Sequence, residues 1–244
     1  MQEARVVAII QARMSSTRLP GKVLLDVAGE PMLARVVNRT RRATTLHDVA
    51  IATTTKPADE PIVKLCAVRG WPCFRGSEED VLDRYYWAAK EHRADFIVRI
   101  TSDCPLVEPE IVDLIVQGIL ERGPVDYVSN TIPPRSFPRG LDVEAISFKA
   151  LERAWREDDN PAWREHVTPY IYRHPEKFVL RAVMNDQDFS HMRWTVDTPE
   201  DLAFVRRIYG HFGHDRFSWR EVLALLKEHP EWLEINRYVQ QKVI

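Results

Sequence analysis

Short runs of β-branched and apolar residues recur through the first half of the chain, each separated from the next by a stretch long enough for one helix. The runs fall at residues 5–10 (RVVAII), 49–52 (VAIA), 96–100 (FIVRI) and 125–128 (VDYV). Continuous apolar runs of this length suit strands buried on both faces, and strands alternating with helices make a parallel sheet with helices packed on either side. The intervening amphipathic stretches are residues 31–43, 62–68, 78–91 and 109–121. The pattern therefore predicts an α/β fold with a mostly parallel sheet. A chain of 244 residues with 45% hydrophobic content can bury the core of one such domain, 1–244, with a small appended lobe. The order of the strands is not encoded in the pattern.

Helix starts are marked where a side chain can accept bonds from free backbone N–H groups: Ser77 with Asp80, Thr198 with Pro199 and Asp201, and Ser218 with Glu221. Val81, Leu82, Tyr85, Tyr86 and Ala89 recur at helical spacing, which assigns the two tyrosines to packing rather than to a stacking platform. Residues 130–139 (NTIPPRSFPR) are proline-rich, a poor core element and a good pocket wall. Residues 141–147 (LDVEAIS) alternate as an exposed strand does. From 198 to 244 the chain reads as helices (EDLAFVRRIYGHF, WREVLALLKEH, EWLEINRYVQQKV) that close the back of the sheet.

Thirty-four basic and 36 acidic residues give a formal charge of -2 without a basic stripe, so a small-molecule partner is expected rather than nucleic acid. No segment reaches the length of a membrane span, and the N-terminal apolar run is too short for a secretion signal, so a cytoplasmic location is expected. Cys66, Cys73 and Cys104 are an odd, unclustered set read as reduced core thiols. His211 and His214 share a helical i, i+3 spacing but are not read as a metal site.

The chemistry concentrates in three stretches. The loop after the first strand, QARMSSTRLPGK (11–22), holds Arg13, Arg18 and Lys22, the hydroxyls of Ser15, Ser16 and Thr17, and a Pro20-Gly21 turn. Ligands of open α/β sheets collect beyond the carboxyl ends of strands; there, small hydroxyl residues let backbone N–H groups approach phosphate while Arg and Lys neutralise it. The loop has neither the GxxxxGK[ST] spacing of a P-loop nor GxGxxG. Asp103, in TSDCP (101–105), follows an apolar strand and stands where a carboxylate can hold Mg²⁺ beside nucleotide phosphates. Asp197, in RWTVDTPED (193–201), sits where another strand runs into a capped helix. Each aspartate alone reads equally as a turn or cap residue; two of them with a phosphate loop point to metal-assisted phosphoryl chemistry.

IIQARMSSTRLPGKVL followed by GEPML resembles the N-terminal signature of the cytidylyltransferases that activate acidic sugars, the Kdo and acylneuraminate enzymes among them, and above all the branch called spore coat polysaccharide biosynthesis protein F. The likeness continues in order through RGSEEDVLDRY (75–85), TSDCPL (101–106), FPRGLDVEAIS (137–147), REHVTPYIY (164–172) and RWTVDTPEDL (193–202), nearly the whole chain. It implies a glycosyltransferase-A-like, Rossmann-like nucleotidyltransferase fold, CTP as co-substrate, Mg²⁺ as cofactor and a CMP-sugar as product. On that resemblance Ala12, Arg13, Ser15, Ser16, Arg18 and Lys22 surround the triphosphate, with Arg13, Lys22 and Asp103 catalytic. Thr53, Thr54 and Arg75 line the base and ribose side, and Asp103 and Asp197 hold the metal. Arg139, Asp142, Glu144, Arg164 and His166 face the sugar, and segment 130–147 forms an arm through which a homodimer assembles. The loop lacks the paired glycines of acylneuraminate enzymes, and the region after Phe74 lacks the SGTER-type segment of Kdo enzymes, so the acceptor stays open. Two other readings remain: a nucleotidyltransferase for a sugar phosphate or phosphonate, and a non-catalytic nucleotide-sugar binding protein. A retaining glycosyltransferase is a third and weaker reading.

Overall fold

The structure, a computed structural model, describes residues 4–121 and 123–241. β1 (Val6–Gln11) is followed by a loop, a 3-10 turn at Lys22–Leu24, a ribbon of β2 (Asp26–Val27) and β3 (Glu30–Pro31), and α1 (Met32–Thr40). Then come β4 (Asp48–Thr54), α2 (Glu60–Arg69), β5 (Cys73–Gly76), α3 (Val81–Glu91), β6 (Phe96–Thr101) and α4 (Pro109–Leu120). β7 (Tyr127–Ser129), β8 (Glu144–Ser147), α5 (Phe148–Glu157), α6 (Pro161–His166), α7 (Pro169–Tyr172), β9 (Leu180–Ala182), α8 (Pro199–Phe212) and α9 (Trp219–Glu228) complete the order. Among the described residues the main sheet has seven strands in the order β5-β4-β1-β6-β8-β7-β9. β5, β4, β1 and β6 run parallel, and β8 is antiparallel to both neighbours.

β1 is apolar at consecutive positions because both of its faces are covered. Val6, Ala8 and Ile10 join the larger core with α1, α4, α8 and α9; Val7 and Ile9 join a second core with α3, α5 and α7. Tyr85 and Tyr86 are buried, and the Tyr85 hydroxyl donates to the Ile9 carbonyl, so packing is their role. Fully buried Arg39 ties α1 to the far layer: it pairs with Glu108 at 3.1 Å and donates to the carbonyls of Val107, Asp215 and Phe217.

The four expected strands and four expected helices all form, with shifted ends; β5 was not foreseen. Five expectations fail. Segment 141–147 is not an exposed strand: β8 lies between β6 and β7, and Glu144 tolerates that place because Arg99, its register partner on β6, pairs with it at 3.0 Å. Residues 193–197 are not a strand, and only an isolated parallel bridge joins Arg193 to Arg139. The helix expected at the C-terminus is a 3-10 turn, Pro230–Glu234, followed by irregular chain, with 242–244 outside the described residues, as are 1–3. The α3 cap is Asp80, which accepts from the Asp83 N–H, while Ser77 accepts from Asp80 one turn earlier. Finally, the proline-rich segment 130–139, expected to be a poor core element, is packed: Asn130, Ser136 and Phe137 are buried, and its backbone carbonyls accept from the Phe189 and Trp194 N–H groups. The cysteines are free, as expected.

Candidate active site

From β1 the chain steps to β4 and β5 on one side and returns to β6 on the other, so the carboxyl ends of β1 and β6 flank a topological switch point, where open α/β sheets bind ligands. A cleft of about 470 Å³ opens there, lined by the loop after β1, the loop after β6, α3, the Arg139 segment, α6 and the turn before α8.

The loop after β1 is held in a curl. The Met14 N–H donates to Asp59, itself buried and also bonded by the Thr54 hydroxyl, while the Ser16 and Gly21 N–H groups donate back to the Met14 carbonyl. Gly21 takes φ +67°, a left-handed conformation open to glycine, and delivers Lys22 into the 3-10 turn with its side chain inward. The Lys22 ammonium lies 2.9 Å from Asp103 Oδ2, 2.9 Å from Asp197 Oδ1 and 2.8 Å from the Val196 carbonyl. Burial works against its charge, but the two carboxylates outweigh burial and hold its pKa above the ordinary lysine value. Asp103 mirrors this: burial would raise its carboxyl pKa, and Lys22 brings it below the usual range.

The two aspartates are positioned independently of the lysine. The Val196 N–H and the Thr195 hydroxyl both donate to the Asp103 carbonyl, stitching the loop after β6 to the turn before α8. Asp197 is gripped through Oδ2 by Arg18 at 3.0 Å and Arg193 at 2.8 Å. Arg193 in turn pairs with fully buried Asp201, whose carboxylate also receives the N–H groups of Asp197 and Thr198 in the α8 capping box. Gly140 lets the Arg139 segment join this frame: a Cβ there would stand 2.6 Å from the backbone of Trp194 and Thr195.

The cleft gathers Ala12, Arg13, Ser15, Ser16, Arg18, Lys22, Asp103, Arg139, Asp142, His166 and Asp197, as expected. Arg13 pairs with Glu165 at 3.2 Å, Ser15 donates to Glu78, and Asp142 pairs with Arg135. Burial and neighbouring Arg139 press the Arg135 pKa down to about 10. Five expected residues stand elsewhere. Thr53 and Thr54 are fully buried, the latter spent on Asp59; Arg75 bonds the Thr54 carbonyl and Glu60. Glu144 sits behind the wall as the partner of Arg99, and Arg164 turns away to Asp80 and the carbonyls of Trp155 and Asp158.

The cleft also holds Gln11, Arg84, Arg99, Thr101, Glu165 and Thr195, which the residue pattern did not single out. Arg99 was legible as a charge inside the apolar run FIVRI. Arg84 carried no signal, since its spacing places it beside the core residues of α3. Its guanidinium is buried, donates to the Ser77 carbonyl and has no ion-pair partner among the described residues, and its Nε has no bond partner. Arg139 likewise forms no side-chain ion pair among the described residues, so Arg84 and Arg139 are the guanidiniums of the cleft that no carboxylate neutralises.

For the expected metal, the test is the donor set. Asp103 and Asp197 each aim a carboxylate oxygen at one point where a cation, the Lys22 ammonium, already stands. Two hard oxygens suit Mg²⁺, which takes one or two protein carboxylates and completes its shell with water and phosphate; the residues fit it.

The sequence profile of the cytidylyltransferases matches residues 7–234. The chain belongs to that family. This cytidylyltransferase is 32% identical over 237 residues to spore coat polysaccharide biosynthesis protein SpsF of Bacillus subtilis, covering 93% of this chain and 95% of that protein. It superposes on the solved structure of a cytidylyltransferase from Leptospira borgpetersenii with a TM-score of 0.91 and 32% identity, over 99% of this chain and 100% of the other. A CMP:2-keto-3-deoxy-manno-octonic acid synthetase complexed with CTP shares the fold, at a TM-score of 0.67 and 21% identity over 85% of this chain and 99% of the other. The enzyme is thus a CTP-using nucleotidyltransferase on a Rossmann-like fold. No helix among its described residues is long and apolar enough to cross a membrane.

Proposed function

We propose that this cytidylyltransferase moves CMP from CTP to a 2-keto sugar acid, releasing pyrophosphate, in the cytoplasmic synthesis of a surface glycan. One observation carries the reading: two carboxylates converge on a single cation position at the switch point, beneath a loop that supplies Arg13, Ser15, Ser16 and Arg18. That loop suits a triphosphate, because its guanidiniums can grip phosphate oxygens in pairs and its serine hydroxyls can donate to them. The hydroxyl oxygen of the acceptor attacks the α-phosphorus and gives up its proton to solvent, the bond to the bridging oxygen breaks, and pyrophosphate leaves with that electron pair. Mg²⁺ held by Asp103 and Asp197 supplies charge neutralisation for the transferring phosphoryl when bound. Arg13, Arg18 and Lys22 stabilise the same developing charge, the preorganised electrostatics on which such transfers depend. No covalent enzyme intermediate is required, and the nearby Cys104 thiol, its pKa pushed up to about 12 by burial, is no nucleophile at neutral pH.

The acceptor end explains the choice of a sugar acid. Arg139 has no carboxylate of its own and crowds Arg135, so an acceptor carboxylate meets an unmatched guanidinium, while Asp142 and Glu165 can accept from sugar hydroxyls. The likeness to a spore coat polysaccharide protein and to the fold of a synthetase acting on a keto-deoxy sugar acid supports the same assignment. The test is pyrophosphate release from CTP and Mg²⁺ across a panel of 2-keto sugar acids, sugar phosphates, phosphonates and neutral sugars. Release with a keto sugar acid supports the reading. Release confined to any other class, or binding of CTP with no release at all, overturns it.

A further inference from the structure

Lys22 holds an unusual place for a residue meant to touch phosphate. An ammonium group has three N–H donors, and all three are engaged, by Asp103, Asp197 and the Val196 carbonyl. In this arrangement none is left for a nucleotide. The side chain is only 11% exposed, and its nitrogen stands between the two carboxylate oxygens that would bind a divalent cation. An ammonium and a divalent cation cannot share that point, since both are positive and both need the same oxygens.

We infer that Lys22 has two working positions: in the metal-free enzyme it is the cation of the Asp103–Asp197 site, and entry of the divalent ion there displaces it toward the phosphates. The inference rests on the proposed metal role of the two aspartates. The surrounding frame suits an exchange of cations. Asp103 is stitched through its carbonyl to Val196 and Thr195, and Asp197 is gripped on its other oxygen by Arg18 and Arg193. Neither anchor involves Lys22, so the Asp103 backbone and the Asp197 carboxylate keep their places when the ammonium leaves. Lysine is the residue for such a part: a compact charge on a flexible four-carbon stem can exchange places, whereas a guanidinium in a rigid fork resists it. The resident ammonium keeps two close carboxylates from repelling each other while the site waits. It also makes phosphate contact conditional on the metal, because the donors of Lys22 are released only by its arrival.

The test is binding of Mn²⁺ alone, without nucleotide, followed by electron paramagnetic resonance. Lys22→Met removes the competing charge and retains the stem. It should bind Mn²⁺ at least tenfold more tightly than the wild-type enzyme even though turnover falls, and adding Asp103→Asn to it should abolish the gain. Equal or weaker Mn²⁺ binding by Lys22→Met overturns the exchange. If Asp103→Asn leaves Mn²⁺ binding with CTP intact, the metal assignment itself falls, and the exchange with it. A second measurement uses the unmodified chain, in case Lys22→Met does not fold: amine acetylation read by mass spectrometry should rise at least threefold at Lys22 when Mg²⁺ is added without nucleotide. Labelling unchanged by Mg²⁺ overturns the inference.

Discussion

Asp201 lies one step behind the chemistry, and Asp201→Asn tests whether the frame holding Asp197 is as rigid as its bonds imply. The side chain is fully buried. Oδ1 accepts from Arg193 Nε at 2.9 Å and Asn236 Nδ2 at 2.9 Å; Oδ2 accepts from Arg193 at 2.9 Å, the Asp197 N–H at 2.9 Å and the Thr198 N–H at 3.1 Å. Asparagine keeps the shape but offers a single acceptor oxygen, and its NH₂ faces groups that are themselves donors. Breaking a buried ion pair by removing one partner costs roughly 3–5 kcal/mol, because the remaining charge is left without compensation. For a chain of this size that corresponds to a fall in Tm of about 6–20 °C. Urea unfolding followed by tryptophan fluorescence measures it directly. The pH dependence gives a second check. Burial would raise the Asp201 pKa, but the Arg193 bonds and the Asp197 N–H bring it below the ordinary value of 3.8. A depressed folded pKa contributes stability that is fully present above the unfolded value and disappears as pH falls through the folded one. The gap between wild type and Asp201→Asn should therefore be widest above about pH 5 and close below about pH 4. A loss under about 1 kcal/mol, or a gap independent of pH between 3 and 6, would refute the argument that this pair anchors the site.

Asp103→Asn and Asp197→Asn should each lower turnover about a hundredfold or more with the fold retained, since each removes charge where the transferring phosphoryl is stabilised; wild-type rates in both would end the two-carboxylate assignment. Arg139→Ala should raise the KM of the acceptor at least tenfold and leave that of CTP within about threefold, the loss of a charged hydrogen bond being worth about 1.5–3 kcal/mol. Parallel losses for both substrates would remove Arg139 from the acceptor end. Arg84→Met should weaken CTP binding, by calorimetry, about tenfold while Tm stays within about 3 °C, because the lost Ser77 bond is offset by removal of a buried charge that has no acidic partner. A large fall in Tm with unchanged CTP affinity would make Arg84 purely structural.

How far the sequence could be read depended on whether a residue's partner was near in the chain or far. The strands of the first half were legible because burial on both faces leaves a local mark, an unbroken apolar run. The Thr198–Asp201 and Ser218–Glu221 caps were legible because both members of each box lie within one turn. Segment 141–147 misled because its acidic positions imply solvent, and the neutralising cation, Arg99, is 45 residues away on β6. Segment 193–197 misled for a related reason. Its apolar residues are buried, but what holds it is a network of side chains and the close approach that Gly140 allows, not a ladder of backbone bonds.

The same distinction separates the expected site residues that the fold brings to the cleft from those it does not. Arg13, Arg18 and Lys22 share one short loop, so their joint charge was visible before the fold was. Arg164 and His166 lie two residues apart on α6, and the sequence treated them alike; the helix turns them to different sides, His166 to the cleft and Arg164 to Asp80. Thr53 and Thr54 end β4 at the correct edge of the sheet, yet alternation along the strand and the pull of Asp59 keep both inside. Arg84 is the instructive case. In the sequence it is one charged residue beside the core positions of a helix, and nothing there marks it. In the fold that face meets the cleft, and an arginine buried there without a carboxylate is costly to keep unless an anion arrives to pair with it. The sequence shows what each side chain can offer. Only the fold shows which offers are left unmet, and in this cleft they include the guanidiniums of Arg84 and Arg139, which pair with no carboxylate among the described residues.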